Sequence, residues 1–329
     1  MIFLTGATGL LGSHILSALR GEGHSVAALV RSRAGANEVT ARGATAVLGR
    51  VEDPNTWNQL SDCSGIIHSA AIIAGRYPWE TYFQVNVEGA RLAGERARQL
   101  RVPLVHISSV AVYGRKTGAG TITESRTWGA LRLADYYARS KRMAEDALWQ
   151  EAGKGLHLVI VRPCVVYGEG DRLFFPSMAR AMRRGWVPFI GSGDRPLSLV
   201  YAGNVAQVVL LAMMTPAARG EVYNVTNDGV ITAREFTEAF GVGLGRRIRH
   251  VRLPVWPLLS IAWMIDQIRR LTLPARYPGS LGTAVRFWRG GNSYSSEKAV
   301  RDLGWVPASR HRDAIVRTVH SLSSRQSGS

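Results

Sequence analysis

Cysteine, lysine and acidic residues are all scarce in this chain. Of its 329 residues two are cysteine, four are lysine and 24 are acidic, against 41 basic. Two cysteines, Cys63 and Cys164, exclude a disulfide-built scaffold and are expected of a protein kept in a reducing compartment. No His/Cys cluster has metal-ligand spacing, so no metal is expected. Long apolar runs are also lacking. The strongest candidate, Pro254 to Leu271, has an apolar core of about thirteen residues broken by Asp266, and a spanning helix needs about 20. Met1 leads straight into MIFLTG with no basic segment or cleavage site, so no signal peptide is expected and a cytoplasmic location is.

With only Lys116, Lys141, Lys154 and Lys298 as lysines, the net charge of +17 is almost wholly guanidinium, which suits phosphates and carboxylates. Genomic base composition would enrich arginine equally well. Residues 241–329 hold 15 basic and four acidic side chains and so carry most of the excess. Zinc-finger spacing, a basic heptad region and an RNA-binding aromatic motif are all missing, so nucleic acid is not an expected partner.

What is present is a globular composition, 46% hydrophobic and 20% charged, in a chain long enough for a large core. Short apolar runs beginning near Ile2, Val26, Ala44, Ile66, Leu104 and Leu158 alternate with helical stretches at Leu11–Arg20, Trp79–Leu100 and Ala134–Ala152. That alternation predicts an α/β fold with a parallel sheet covered on both faces. After Arg162 turn-rich pieces separate helices near Pro176–Arg184 and Val205–Met214, and Thr232 with Glu235 forms a capping-box pair opening another helix. The expected organisation is a doubly wound, Rossmann-type domain over 1–165 with returning segments about 198–228. A smaller, interleaved C-terminal substrate-binding domain takes 166–197 and 229–322, and a disordered tail follows at 323–329.

The first strand runs into Thr5-Gly6-Ala7-Thr8-Gly9-Leu10-Leu11-Gly12. Glycines at that spacing let the backbone turn off a strand, approach a pyrophosphate and pack a helix against the sheet, while the helix N-terminus offers free amides. Gly6, Thr8, Gly9, Leu10, Leu11 and Gly12 are therefore expected at a dinucleotide. At the end of the second strand Val30 stands where an NAD site usually has an acid, and Arg31 and Arg33 follow, which favours NADP over NAD. Solvated loop arginines are the plainer alternative.

Tyr137-Ala138-Arg139-Ser140-Lys141 puts a phenol and an ammonium on one helix face. Bringing a phenol from about 10 to about 8 needs about 2.7 kcal/mol of preferential stabilisation of the phenolate, which a lysine and a cationic nicotinamide can supply. Upstream, His106-Ile107-Ser108-Ser109 ends a strand with two hydroxyls, one of which can bind the oxygen that Tyr137 protonates. His68 reads as a strand-end residue rather than a catalyst.

Taken together, TGATGLLG, IIHSAA at Ile66–Ala71, VNVEGA at Val85–Ala90, HISSVAVYG at His106–Gly114, YARSK and RPCVVYG at Arg162–Gly168 resemble the extended short-chain dehydrogenases/reductases. These motifs span about the first half, and NVA at Asn204–Ala206 and EKAVRDLGWVP extend the likeness almost to the end. The resemblance implies Tyr137 as general acid/base, Lys141 as the residue that tunes it and holds the nicotinamide ribose, and Ser109 as the group that orients the substrate oxygen. It also implies Asn86 as part of the active-site architecture, and cofactor contacts from Val51, Ala70, Ala71, Pro163 and Val165. A homodimer through the helices Trp79–Leu100 and Ala134–Ala152 is implied as well.

Departures narrow the branch. Val110 and Ala111 replace the Asp-Glu pair of sugar-nucleotide dehydratases, Val30 and Pro196-Leu197-Ser198 depart from sugar epimerases, and Arg50 stands where many relatives have an adenine-facing aspartate. ALVRSR and VYAGNVA resemble the 3β-hydroxysteroid dehydrogenase and dihydroflavonol reductase-like group. The expected activity is therefore NADP(H)-dependent interconversion of a secondary alcohol and a ketone on an apolar, steroid-like or lipid-like substrate. A nucleotide-sugar epimerase or 4-ketoreductase is the enzymatic alternative, and a non-catalytic NADP-binding regulatory protein is the alternative of another class. Pro254–Leu271, with Arg246, Arg247, Arg249, Arg252, Arg269, Arg270 and Arg276 around it, can rest on an anionic membrane surface, cover substrate, or be an ordinary buried helix.

Overall fold

The computed structural model describes residues 1–73, 75, 77–114, 120–190, 193–226, 231–253, 260, 264–265 and 293–326. Its strands are β1 (Ile2–Thr5), β2 (Val26–Val30), β3 (Thr45–Leu48), β4 (Gly65–His68), β5 (Leu104–Ile107), β6 (Leu158–Pro163), β7 (Val165–Tyr167), β8 (Trp186–Ile190), β9 (Pro196–Leu197), β10 (Leu199–Tyr201), β11 (Glu221–Val225), β12 (Ile231–Thr232) and β13 (Arg249–Leu253). Its helices are α1 (Leu10–Gly21), α2 (Arg33–Thr40), α3 (Pro54–Asn58), α4 (Trp79–Tyr82), α5 (Gly89–Leu100), α6 (Tyr136–Gly153), α7 (Phe174–Met182), α8 (Ala202–Met214), α9 (Ala233–Gly243), α10 (Glu297–Leu303) and α11 (His311–Gln326).

Seven strands form one sheet in the order β11-β6-β5-β4-β1-β2-β3, and every pairing in it is parallel. Alternate side chains serve opposite faces. Ile2, Leu4, Val26, Ala28, Val30, Val159 and Val161 pack with α1, α8 and α10 on one side. Phe3, Ala27, Leu29, Leu158 and Ile160 pack with α3, α5 and α6 on the other. Both faces are dry, which is why these strands read as continuous apolar runs. The doubly wound α/β architecture stands, with a seventh strand, β11, beyond the six strand starts expected.

The helix expected over Trp79–Leu100 is present but interrupted: Phe83–Glu88 is a π-helical turn between α4 and α5. Such a turn accommodates one extra residue, and side-chain periodicity does not reveal a single insertion of this kind. The Thr232–Glu235 capping box forms as expected at α9. A second apolar cluster joins Tyr167, Phe175, Phe236, Phe240, Ile315 and Val319 from β7, α7, α9 and α11. Leu322 packs against that cluster, and α11 runs on to Gln326. Ser323–Gln326, expected in the irregular tail, therefore belongs to a helix held by its buried face; residues 327–329 lie outside the described residues.

Apart from residues 260 and 264–265, the Pro254–Leu271 segment also lies outside the described residues, as do Arg269, Arg270 and Arg276. Among the described residues no helix is long and apolar enough to cross a membrane.

Candidate active site

Because the sheet is all parallel, its strands deliver their C-terminal residues to one edge, where ligands bind in open α/β sheets. Gly6 follows β1, Arg31 follows β2, Val51 lies beyond β3, Ala70 and Ala71 follow β4, Ser109 follows β5, and Pro163 ends β6.

At the β1 end the site is made of missing side chains. Gly6 sits at φ +75°, and a Cβ there would lie 2.8 Å from the Ala70 nitrogen. A Cβ at Gly12 would lie 2.0 Å from the Gly6 carbonyl oxygen, so neither position admits any other residue without rebuilding the turn. Gly9 is the N-cap of α1 and offers no side-chain cap, which leaves first-turn amides available to an anion. The Ala70 amide donates to Thr5 Oγ1 (3.1 Å), which also hydrogen-bonds His68 Nδ1 (3.0 Å). This link ties β1 to the end of β4 and involves Thr5, a residue that sequence reasoning did not single out.

The β2 end is open. Arg31 and Arg33 are exposed, Val30 is buried in the core, and Ser32 caps α2 by accepting from the Gly35 amide (3.2 Å). Arg50 pairs with Glu52 at 2.6 Å, and Val51, whose carbonyl accepts from Trp57 Nε1 (2.8 Å), is buried.

At the β5 end the structure brings Ser109, Tyr137 and Lys141 together. The Ser109 side chain lies near enough to the Tyr137 phenol to act on its pKa, and Ser109 Oγ accepts from the Ala111 amide (3.2 Å). Lys141 is buried one turn along α6 and donates from Nζ to the Ile107 carbonyl (2.6 Å). Burial pushes the Tyr137 phenol above its ordinary value, while Ser109 pulls it the other way. Lys141 itself is pushed down to about 8 by burial, and the nearby Glu145 carboxylate opposes that shift.

Asn86, in the π-helical turn, is buried and bridges three elements. Its Oδ1 accepts from the Ile72 amide (2.7 Å), and its Nδ2 donates to the Ile72 carbonyl (3.0 Å) and to Ser140 Oγ (2.9 Å). The asparagine thus fixes the chain after β4 to the tyrosine-bearing helix. Pro163 is buried, whereas Val165 is exposed on β7, where the chain leaves the sheet to pair with β10. His68 and His106 stack at 5.5 Å, both buried. Burial and then the Lys141 charge lower His68 to about 3 and push His106 well below its usual range, so both are neutral at neutral pH.

Beneath these groups lies a buried polar network that the motifs did not announce. Arg162 donates to both oxygens of Glu145 (3.0 and 2.5 Å) and to the Tyr113 hydroxyl (2.9 Å), which donates to Asn224 Oδ1 (2.8 Å). Ser108 Oγ donates to Glu145 Oε1. The one signal available was spacing: Glu145 falls four residues after Lys141, on the same helix face, and a buried charge needs a partner.

Beside Tyr137 opens a cleft of about 1140 Å³, lined by Gly75, Tyr77, Pro78, Tyr82, Ala111, Leu131, Arg132 and Tyr136 among others. Its aromatic wall is continuous: Tyr77 meets Tyr82 at 6.4 Å and Tyr82 meets Tyr136 at 6.0 Å between ring centroids, with Trp79 behind Tyr136 at 5.7 Å.

Residues 2–226 match the NAD dependent epimerase/dehydratase family. The chain belongs to that family. It is similar to a 4-hydroxy-2-methyl-3-oxo-4-farnesyl-3,4-dihydroquinoline-1-oxide ketoreductase of Stigmatella aurantiaca, with 29% identity over 95% of this chain and 94% of that one. It is equally similar to sterol demethylase protein B of Methylococcus capsulatus, with 29% identity over 93% of each. Among solved structures, the UDP-glucose 4-epimerase of Thermotoga maritima with UDP-glucose superposes with a TM-score of 0.77 at 21% identity, covering 99% of both chains, which shows the shared fold. Family and relatives together make this an extended short-chain dehydrogenase/reductase, an enzyme acting at a CH–OH or ketone carbon.

Proposed function

We propose that the protein is an NADP(H)-dependent oxidoreductase interconverting a secondary alcohol and a ketone on an apolar, steroid-like or lipid-like substrate. The observation that carries this reading is Tyr137 at the wall of an aromatic-lined cleft, with Ser109 near its phenol and Lys141 buried one turn along the same helix. Ser109 binds the substrate oxygen and holds it at the phenol. Tyr137 donates its proton to that oxygen in reduction and takes one from the carbinol in oxidation. Lys141, as an ammonium, favours the phenolate that reduction leaves behind. Bound NADP(H) supplies or accepts the hydride.

The residues present fit such a dinucleotide. The glycine cradle and the uncapped amides of α1 suit a pyrophosphate, and exposed Arg31 and Arg33 beside the buried Val30 suit a 2′-phosphate rather than a ribose diol. Relatives named for a farnesylated quinoline oxide and for sterols fit an apolar substrate, as does the tyrosine wall. The helical pair of α5 and α6 is offered as the surface of a homodimer, on the resemblance alone.

Fluorescence titration with NADPH and NADH, followed by a turnover screen of steroid, prenylated and long-chain ketones, tests the reading. Tighter NADPH binding with turnover of an apolar ketone is expected. Tighter NADH binding would overturn the cofactor, and turnover of a nucleotide sugar with no ketone reduced would overturn the substrate class.

A further inference from the structure

Lys141 works only as a cation, yet it is buried, with 3% of its surface exposed. A buried ammonium needs a nearby negative charge to stay protonated. The charged and titratable groups that act on it from the surrounding elements are His68 on β4, His106 on β5 and Glu145 on its own helix, with Arg162 on β6 behind Glu145. Both histidines are neutral and Arg162 has the wrong sign, which leaves Glu145 as the one acidic group in the set.

Glu145 is itself fully buried and held from three directions by Arg162 Nε (3.0 Å), Arg162 Nη2 (2.5 Å) and Ser108 Oγ. Its hold on Ser108 has a second consequence. Together with the bond from Lys141 Nζ to the Ile107 carbonyl (2.6 Å), it ties α6 to two consecutive residues of the β5 end, immediately before Ser109. The Ser109-bearing end of β5 and the Tyr137-bearing helix are thereby held together from behind the hydroxyl groups.

We propose that Glu145 is a positioning residue of the reaction: it supplies the charge that keeps Lys141 an ammonium and, through Ser108, fixes the end of β5 against α6. The inference rests on the roles proposed above for Tyr137 and Lys141; the Lys141 titration is made without substrate or cofactor, so the electrostatic role and that reading can fail separately.

Only four lysines are present, so the full chain labelled with 13C-lysine gives a spectrum in which the Lys141 signal is identified by its loss in Lys141→Met. In Glu145→Gln the titration midpoint of Lys141 is expected to fall by about one pH unit or more. If that variant does not accumulate as folded protein, Glu145→Asp, which keeps the sign of the charge and withdraws it by one methylene, is expected to give a smaller fall in the same direction. Ser108→Ala, which leaves the ion pair intact, is expected to lower kcat at least tenfold with KM changed less than threefold. An unmoved Lys141 midpoint in either folded variant overturns the electrostatic role, and an unchanged kcat in Ser108→Ala overturns the positioning role.

Discussion

The two ends of the sheet's ligand-binding edge are built by opposite means. Around β1 the chain makes room by omission, with glycines where any Cβ would strike backbone and a helix left uncapped. Around β5 and β6 it fills the interior with charged and hydroxyl side chains bonded to partners on other elements. An omission needs only a local run of residues, whereas a buried charge draws in a partner from elsewhere in the chain, so the two ends are expected to respond differently to mutation.

The sharpest contrast is in turnover. Tyr137→Phe is expected to lose about 10²–10⁴-fold in kcat while NADPH affinity stays within threefold, by steady-state kinetics and fluorescence titration. Equal losses in binding and turnover would blur the division between the two ends. Next in size, Arg162→Met leaves Glu145 buried without its cation and should cost about 3–5 kcal/mol in urea unfolding. A cost under 1 kcal/mol would mean that the β5–β6 end does not depend on its pairs.

Acid should act at the neighbouring β4 end and in the cluster around α11. The folded-state pKa of His68 is depressed to about 3, below the unfolded value, so the unfolded chain binds the extra proton first as pH falls. The stability that His68 contributes is fully present above about pH 6.5 and is lost progressively down to about pH 3, with His311, lowered to about 4, adding to the loss. Urea midpoints at successive pH values should fall through this window, and a flat profile would contradict the burial of both rings. At the β1 end, Gly12→Ala should cost about 1–3 kcal/mol of stability and abolish detectable NADPH binding, because a methyl group must displace the Gly6 carbonyl. The smallest effect expected is that of Arg31→Ala, about tenfold weaker NADPH binding with NADH unchanged, since the side chain is exposed and contributes through one charge-assisted contact.

How much was legible in advance follows the same division. The glycine run, the Arg31 and Arg33 pair and the YARSK helix are local patterns: the first two follow β1 and β2, and the third opens α6. Asn86 was expected at the site from resemblance, but the π-helical turn that aims it at Ile72 and Ser140 was not, because one inserted residue leaves an apolar helix face looking continuous. Glu145 and Arg162 lie 17 residues apart on a helix and a strand, and their pairing depends on how α6 packs against β6. The same holds for the Tyr113–Asn224 bond across 111 residues. The end of α11 was misjudged for a related reason: a polar SSRQ run reads as tail, yet Leu322 anchors the turn before it.

By itself, then, the sequence determined the parallel sheet, the glycine-lined turn after β1 and the spacing that sets Tyr137 and Lys141 one turn apart on α6. Each of these depends on periodicity or spacing over a few residues, and backbone geometry converts such spacing directly into shape. The tertiary structure alone decided which charges meet in the interior, how the phenol and ammonium are shifted by burial, and that an aromatic-walled cleft opens beside Tyr137. Desolvation and pairing act through space, between residues that the chain keeps far apart until it folds.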